Sequence, residues 1–103
     1  MKKLSAKPVI AAAAVPRSPF PFDIGGAYFI RTVTYHLTGR VTTISGGFLV
    51  LEDAAWIADS GRFTQALQNG TLSEVEPVGK AIVNLQAITD AFEWKHALPT
   101  TQK

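Results

Sequence analysis

The stretch Tyr28–Ile44 (YFIRTVTYHLTGRVTTI) contains no proline and is dense in Tyr, Phe, Ile, Val and Thr. Such side chains crowd a helix and suit a pleated, half-buried surface, so this part of the chain must build sheet. Phe29, Val33, Tyr35, Leu37 and Val41 share one parity, while Thr32, Thr34, His36, Thr38 and Arg40 share the other. That alternation predicts one long strand with an apolar face inward and a polar face outward, bent at Gly39. Ser45–Gly46–Gly47 reads as a tight turn. Phe48–Leu51, apolar at every position, reads as a short strand buried on both faces.

The period then changes. Asp59 or Ser60 is placed to cap a helix over about Gly61–Gln68, with Phe63, Ala66 and Leu67 on one face and Asn69–Gly70 as the stop. Thr71–Val78 alternates again, and Gly79–Lys80 reads as a turn. Ala81–Leu85 and Ala87–Trp94 are the last strand candidates, and a tail begins at Leu98. The sequence shows no internal repeat.

One hundred and three residues allow a single small domain. Hydrophobic residues make up 47% and charged residues 17%, more apolar content than a small monomer needs to bury, which favours contacts between subunits. Without cysteine there is no disulfide framework, thiolate nucleophile or cysteine zinc site. The net charge of +2 is unevenly spread. Lys2, Lys3, Lys7 and Arg17 lie in the first 22 residues with no acid, whereas the remainder holds six basic against eight acidic residues. Any affinity for phosphate therefore belongs mainly to the leading segment.

Residues 1–24 read as an extended arm, because Pro8, Pro16, Pro19 and Pro21 forbid a regular helix or central strand. Phe20 and Phe22 alternate with prolines and are candidates to clip onto a neighbouring subunit. Lys2 and Lys3 ahead of Val9–Val15 suggest a short signal peptide, but Lys7 and Pro8 interrupt the apolar run, so a cytoplasmic location is the default. No segment is long enough to span a membrane. Residues 25–97 form the domain and 98–103 a tail.

Two segments carry a family resemblance. Gly39, Val41 and Leu49–Ala54 (LVLEDA) resemble the first Sm motif, and Val83–Asn84–Leu85 with Ile88 resemble the second. The resemblance, over 28–54 and 81–92, is to Sm-like proteins, and the overall character is similar to uncharacterised members from phage or prophage. It implies a mainly β fold: a small, strongly bent five-stranded antiparallel barrel, SH3-like in scale, with one short helix between strands. It also implies a homo-oligomeric ring joined through the last two strands, so Val83, Leu85, Ile88, Phe92 and Trp94 become candidate interface residues.

Family members that bind uridine use an Asp and an Asn in the first motif and an Arg-Gly in the second. Those places hold Ser45, Phe48, Asn84 and Leu85 here, so the base-reading set is not intact. Asn84 retains an amide for a base edge, and Phe48 is either a stacking platform or core. The chain also lacks a clear turn within Thr32–Leu37, where the family's first hairpin bends.

Little points to catalysis. His36 and His96 have no carboxylate at ligand spacing and read as surface residues. Glu52 and Asp53, neighbours in a strand, point to opposite faces and cannot work as a pair. No cofactor or metal is expected. Two readings follow. One is a ring that binds single-stranded nucleic acid, with Lys2, Lys3, Lys7, Arg40 and Lys80 meeting phosphate and Phe48 and Asn84 meeting bases. The other is a structural subunit of a phage particle or similar assembly, virion-associated, whose arm clips its neighbours.

Overall fold

The computed structural model describes residues 21–103, so Lys2, Lys3, Lys7 and Phe20, with most of the expected arm, lie outside the described residues. Five antiparallel strands form one sheet: β1 Ala27–Thr32, β2 His36–Ser45, β3 Phe48–Asp59, β4 Glu74–Asn84 and β5 Ile88–Glu93. Their order across the sheet is β4-β3-β2-β1-β5. A short helix, α1 (Phe63–Asn69), joins β3 to β4, and a single 3-10 turn, Leu85–Ala87, joins β4 to β5.

The single long strand expected over Tyr28–Ile44 is two strands. The turn between them is made by a side chain, not by glycine or proline. Thr32 Oγ1 accepts from the Tyr35 N–H at 3.0 Å and donates to the Tyr35 carbonyl at 2.8 Å, while the Thr32 N–H also donates to that carbonyl. The Thr hydroxyl thus replaces the backbone partners a tight turn would supply. Val33, expected to face inward, is 87% exposed at the tip.

The expected division into a buried and a solvent face also fails, because both faces of β1 are covered. Tyr28 and Ile30 pack with Leu37, Val41, Leu49, Leu51 and Val83 in a first core on one side of the strand. Phe29 packs with Ile57, Ala66, Leu72, Val75 and Trp94 in a second core under α1. Thr38, on the supposed polar face, is fully buried beside Phe29, and its hydroxyl has no partner among the described residues. A period of two identifies two faces; it does not say which of them meets water.

Other expectations shift in instructive ways. Phe48–Leu51 alternates instead of being buried throughout: Leu49 and Leu51 are inside, and Phe48 is 46% exposed. The strand also continues to Asp59. Asp59 Oδ1 accepts from the Gly61 N–H at 2.8 Å and so shapes the turn before the helix without capping it; Arg62 holds the N-cap position with no side-chain bond. Gly70 ends α1 as expected, left-handed, with its N–H on the Ala66 carbonyl. Gly79 does not turn the chain. β4 runs straight through it, with the register against β3 shifting between Leu51 and Ala54. Glu52 and Asp53 lie in that irregularity, where Asp53 adopts a left-handed φ of 50°.

Gly39 is required by close approach. A Cβ there would stand 3.0 Å from Leu51 Cβ and 3.2 Å from Leu51 Cδ1, and Leu51 is fully buried. Gly39→Ala is therefore expected to destabilise the fold by about 1–3 kcal/mol through overpacking. A lower urea midpoint at unchanged slope checks it.

Candidate binding cleft and the open sheet edges

The β2–β3 hairpin closes through Gly46 (φ 60°) and Gly47 (φ 84°), both left-handed, with Ser45 paired to Phe48. Positive φ at both central positions is what a two-residue hairpin turn needs, and Gly-Gly provides it without strain. Across the sheet, Phe48 stands opposite Asn84, the last residue of β4. Asn84 Oδ1 accepts from the Gln86 N–H at 2.9 Å and so caps the 3-10 turn. The Leu85 N–H donates to the Gly47 carbonyl at 3.0 Å, locking that turn against the hairpin.

These bonds shape an open cleft of about 410 Å³, lined by Gly46, Gly47, Phe48, Asn84, Leu85 and Gln86. Because the Asn84 carbonyl oxygen is engaged by Gln86, its Nδ2 amide is the group left to present. The cleft offers a half-exposed aromatic face and two carboxamides and has no charged side chain in its lining. It suits a flat, neutral, hydrogen-bonding ring better than a phosphate.

Of the residues singled out from the sequence, Phe48, Asn84 and Leu85 meet at this cleft. Arg40 and Lys80 do not. Arg40 is exposed on β2, where its Nη1 donates to the Gly25 carbonyl at 3.1 Å. Lys80 is exposed on β4 beside Gly79, four residues before Asn84 and so roughly 13 Å along the strand. Gln86 was not anticipated, since its only signal is its place two residues after Asn84.

Several expected interface residues pack inside the chain's own cores. Phe22 is buried edge-to-face on Tyr28 at 5.0 Å, in the first core. Val83 lies in the first core and Trp94 in the second, where the Trp94 indole N–H donates to the Ala97 carbonyl at 3.1 Å. Phe92 packs edge-to-face on Phe63 at 5.2 Å, while Leu85 and Ile88 are half-buried against the first core. The histidines are not plain surface residues. His36 is half-buried with its ring 5.8 Å from Phe29, and His96 Nε2–H donates to the Leu67 carbonyl at 2.8 Å, tying the chain after β5 to α1. Among the described residues no group of His, Asp and Glu is arranged to hold a metal ion, and no helix is long and apolar enough to cross a membrane.

The two edge strands of the sheet, β4 and β5, differ in character. Beside β4, Val78, Ile82 and Trp56 are exposed and, with Tyr35, line a shallow apolar groove of about 260 Å³. β5, at the other end, pairs with β1 alone. There Arg31 and Asp90 stand opposite each other in register and form a two-pronged ion pair, Nε to Oδ1 at 2.7 Å and Nη2 to Oδ2 at 2.6 Å. The guanidinium also lies 4.5 Å from the Phe63 ring centre and so links β5 to α1. The hydrogen bond from Arg31 holds the Asp90 carboxyl below its ordinary value against partial desolvation, with attraction to Arg31 and His36 adding to it.

No family model and no curated protein matches this sequence. Among solved structures, a crystal structure of a heptameric archaeal Sm protein is similar, with a TM-score of 0.50 and 18% identity over 68% of this chain and 87% of that one. The likeness shows the fold: a small Sm-like barrel of five antiparallel strands with one short helix.

A depressed carboxyl contributes stability that is present above its unfolded value, about 3.9, and is lost as pH falls through the lower folded value. Asp90→Asn should therefore cost up to about 1 kcal/mol at pH 7, given that the pair is one-third exposed. The gap to the parent should close in the acid range. Denaturant titrations of both proteins at several pH values check the crossover.

Proposed function

We propose that this chain is a non-enzymatic subunit that assembles with copies of itself into a closed ring through β4 and β5. The ring would hold single-stranded nucleic acid by its bases at the Phe48–Asn84 cleft. The observation that carries the assembly is the pair of edge strands at opposite ends of one antiparallel sheet, β4 being without an outer backbone partner from Val78 to Asn84 among the described residues and bordered there by exposed Val78 and Ile82. An edge strand beside apolar side chains is a template for another strand, and cyclic repetition is the closed way to satisfy every such edge. β5 of a second copy fits that template, because it is short and otherwise paired on one side only. The heptameric state of the similar archaeal Sm protein supports the same geometry.

Light scattering on the full-length protein tests the ring. A mass that is a several-fold multiple of the 11.1 kDa subunit is expected. Ile82 is 64% exposed, so Ile82→Glu should leave the subunit folded by circular dichroism while reducing the mass to that of one subunit. An unchanged mass in the variant, or a monomeric parent, would overturn the ring.

The nucleic-acid reading rests on the cleft's lining, where an exposed aromatic ring sits beside Asn84 and Gln86. Phe48→Ala is expected to weaken binding of a labelled single-stranded oligonucleotide by roughly 1–3 kcal/mol, the worth of one base–aromatic stack. Binding at the cleft should depend only shallowly on salt, whereas contacts from Lys2, Lys3 and Lys7 would make the dependence steep. Fluorescence anisotropy at several salt concentrations separates the two contributions.

A further inference from the structure

The edge of β4 is not free along its whole length. The Val75 N–H donates to the Lys103 carbonyl at 2.9 Å, and the Lys103 N–H donates to the Val75 carbonyl at 3.0 Å. This reciprocal exchange is the hydrogen-bonded pair of an antiparallel ladder, so residue 103 occupies the position of a strand added outside β4. The route that brings it there is anchored. Leu98 packs against the second core, and His96 is bonded to Leu67. The Gln102 amide reaches the Glu76 carboxylate at 3.3 Å.

The next residue of β4 with the outward parity of Val75 is Pro77, which has no N–H to offer an added strand. The remainder of the edge, from Val78 to Asn84, has no backbone partner on its outer side among the described residues. It is also the part flanked by exposed Val78 and Ile82. This free run of seven residues is close in length to β5, which has six.

We propose that Thr101–Lys103 serve as a blocking strand within the chain. They close the Glu74–Pro77 end of β4 to strand addition and confine a second copy's β5 to Val78–Asn84, fixing its register. A partly blocked edge admits one pairing, whereas an edge eleven residues long admits several slipped ones and open-ended growth. The identity of the second strand rests on the ring reading above; the blocking itself does not.

A chain ending at Thr100 keeps Leu98 in the core and removes the block. Amide exchange at Val75 is expected to be slow in the full-length protein and to quicken by about fivefold or more in the shortened one, the loss of one backbone hydrogen bond. Light scattering over a range of concentration is expected to show species larger than the full-length assembly. Lys103→Pro, which removes the N–H bonded to the Val75 carbonyl and so half of the reciprocal pair, should move both readouts in the same direction, and circular dichroism confirms that each variant is folded. Unchanged Val75 exchange, or the same mass as the parent at every concentration, would overturn the proposal. The ring and the block fail separately. A monomeric full-length protein whose shortened form associates keeps the block and sinks the ring. A ring whose mass and Val75 exchange ignore the truncation keeps the ring and sinks the block.

Discussion

Two consecutive residues, Phe29 and Ile30, are both fully buried, and the rest of the structure depends on that. Neighbouring side chains in a strand point to opposite faces, so β1 needs a core on each side. On the Ile30 side Val41, Leu49, Leu51 and Val83 close in. On the Phe29 side Ile57 of β3 and Val75 of β4 contribute, but they do not close the core alone. The remaining cover comes from Phe63 and Ala66 of α1 and from Trp94 beyond β5. β5 has β1 as its strand partner, and the Arg31–Asp90 pair sits at that seam, with Phe63 over the guanidinium. Once β1 is central in this sense, β4 and β5 are left at the two edges of the sheet.

What was legible in the sequence is what local chemistry decides. Ser45–Gly46–Gly47 had to be a hairpin turn and Asn69–Gly70 had to stop a helix, because left-handed backbone selects glycine. The strand-rich character of 28–44 was equally plain. The turn at Thr32–Tyr35 was hidden because its maker is a threonine hydroxyl inside a run of strand-forming residues. Gly79 misled in the opposite direction. It is left-handed, as a turn glycine would be, yet it serves a shift of register beside the Glu52–Asp53 irregularity. The second core was invisible because Thr38, beside Phe29, looks like a solvent-facing residue, and only the tertiary arrangement buries it.

The binding cleft was half legible. Phe48 and Asn84 are thirty-six residues apart, and the resemblance of their two segments to Sm motifs is what joined them; the register of β3 on β4 then puts them face to face. Charge was a poorer guide. Arg40 and Lys80 are exposed cations, but a strand carries them away from the cleft, and sequence composition does not report direction. Trp94 and Phe22, candidates for an interface in the sequence, are buried within the chain, and residue type could not have told the two settings apart. Large aromatics dominate both cores and interfaces, so type alone does not separate them. The closing residues, Thr-Gln-Lys, carry no strand signal at all, since their bond to Val75 is made entirely by backbone.

Asn84 connects the two parts of the functional reading. It is the last residue of β4 and therefore the end of the free edge, and its side chain both caps the 3-10 turn and lines the cleft. A strand paired along Val78–Asn84 would stiffen β4 up to the residue that faces Phe48, and so hold the cleft's amide in place before a ligand arrives. The ordering cost of that wall would then be met on assembly and not on binding, which raises affinity without adding a contact. Linkage makes the effect mutual: a ligand that prefers the ordered cleft stabilises the paired edge by the same free energy. In the proposed ring each cleft abuts a subunit junction, so occupancy and assembly are coupled through one short strand instead of through a change of fold.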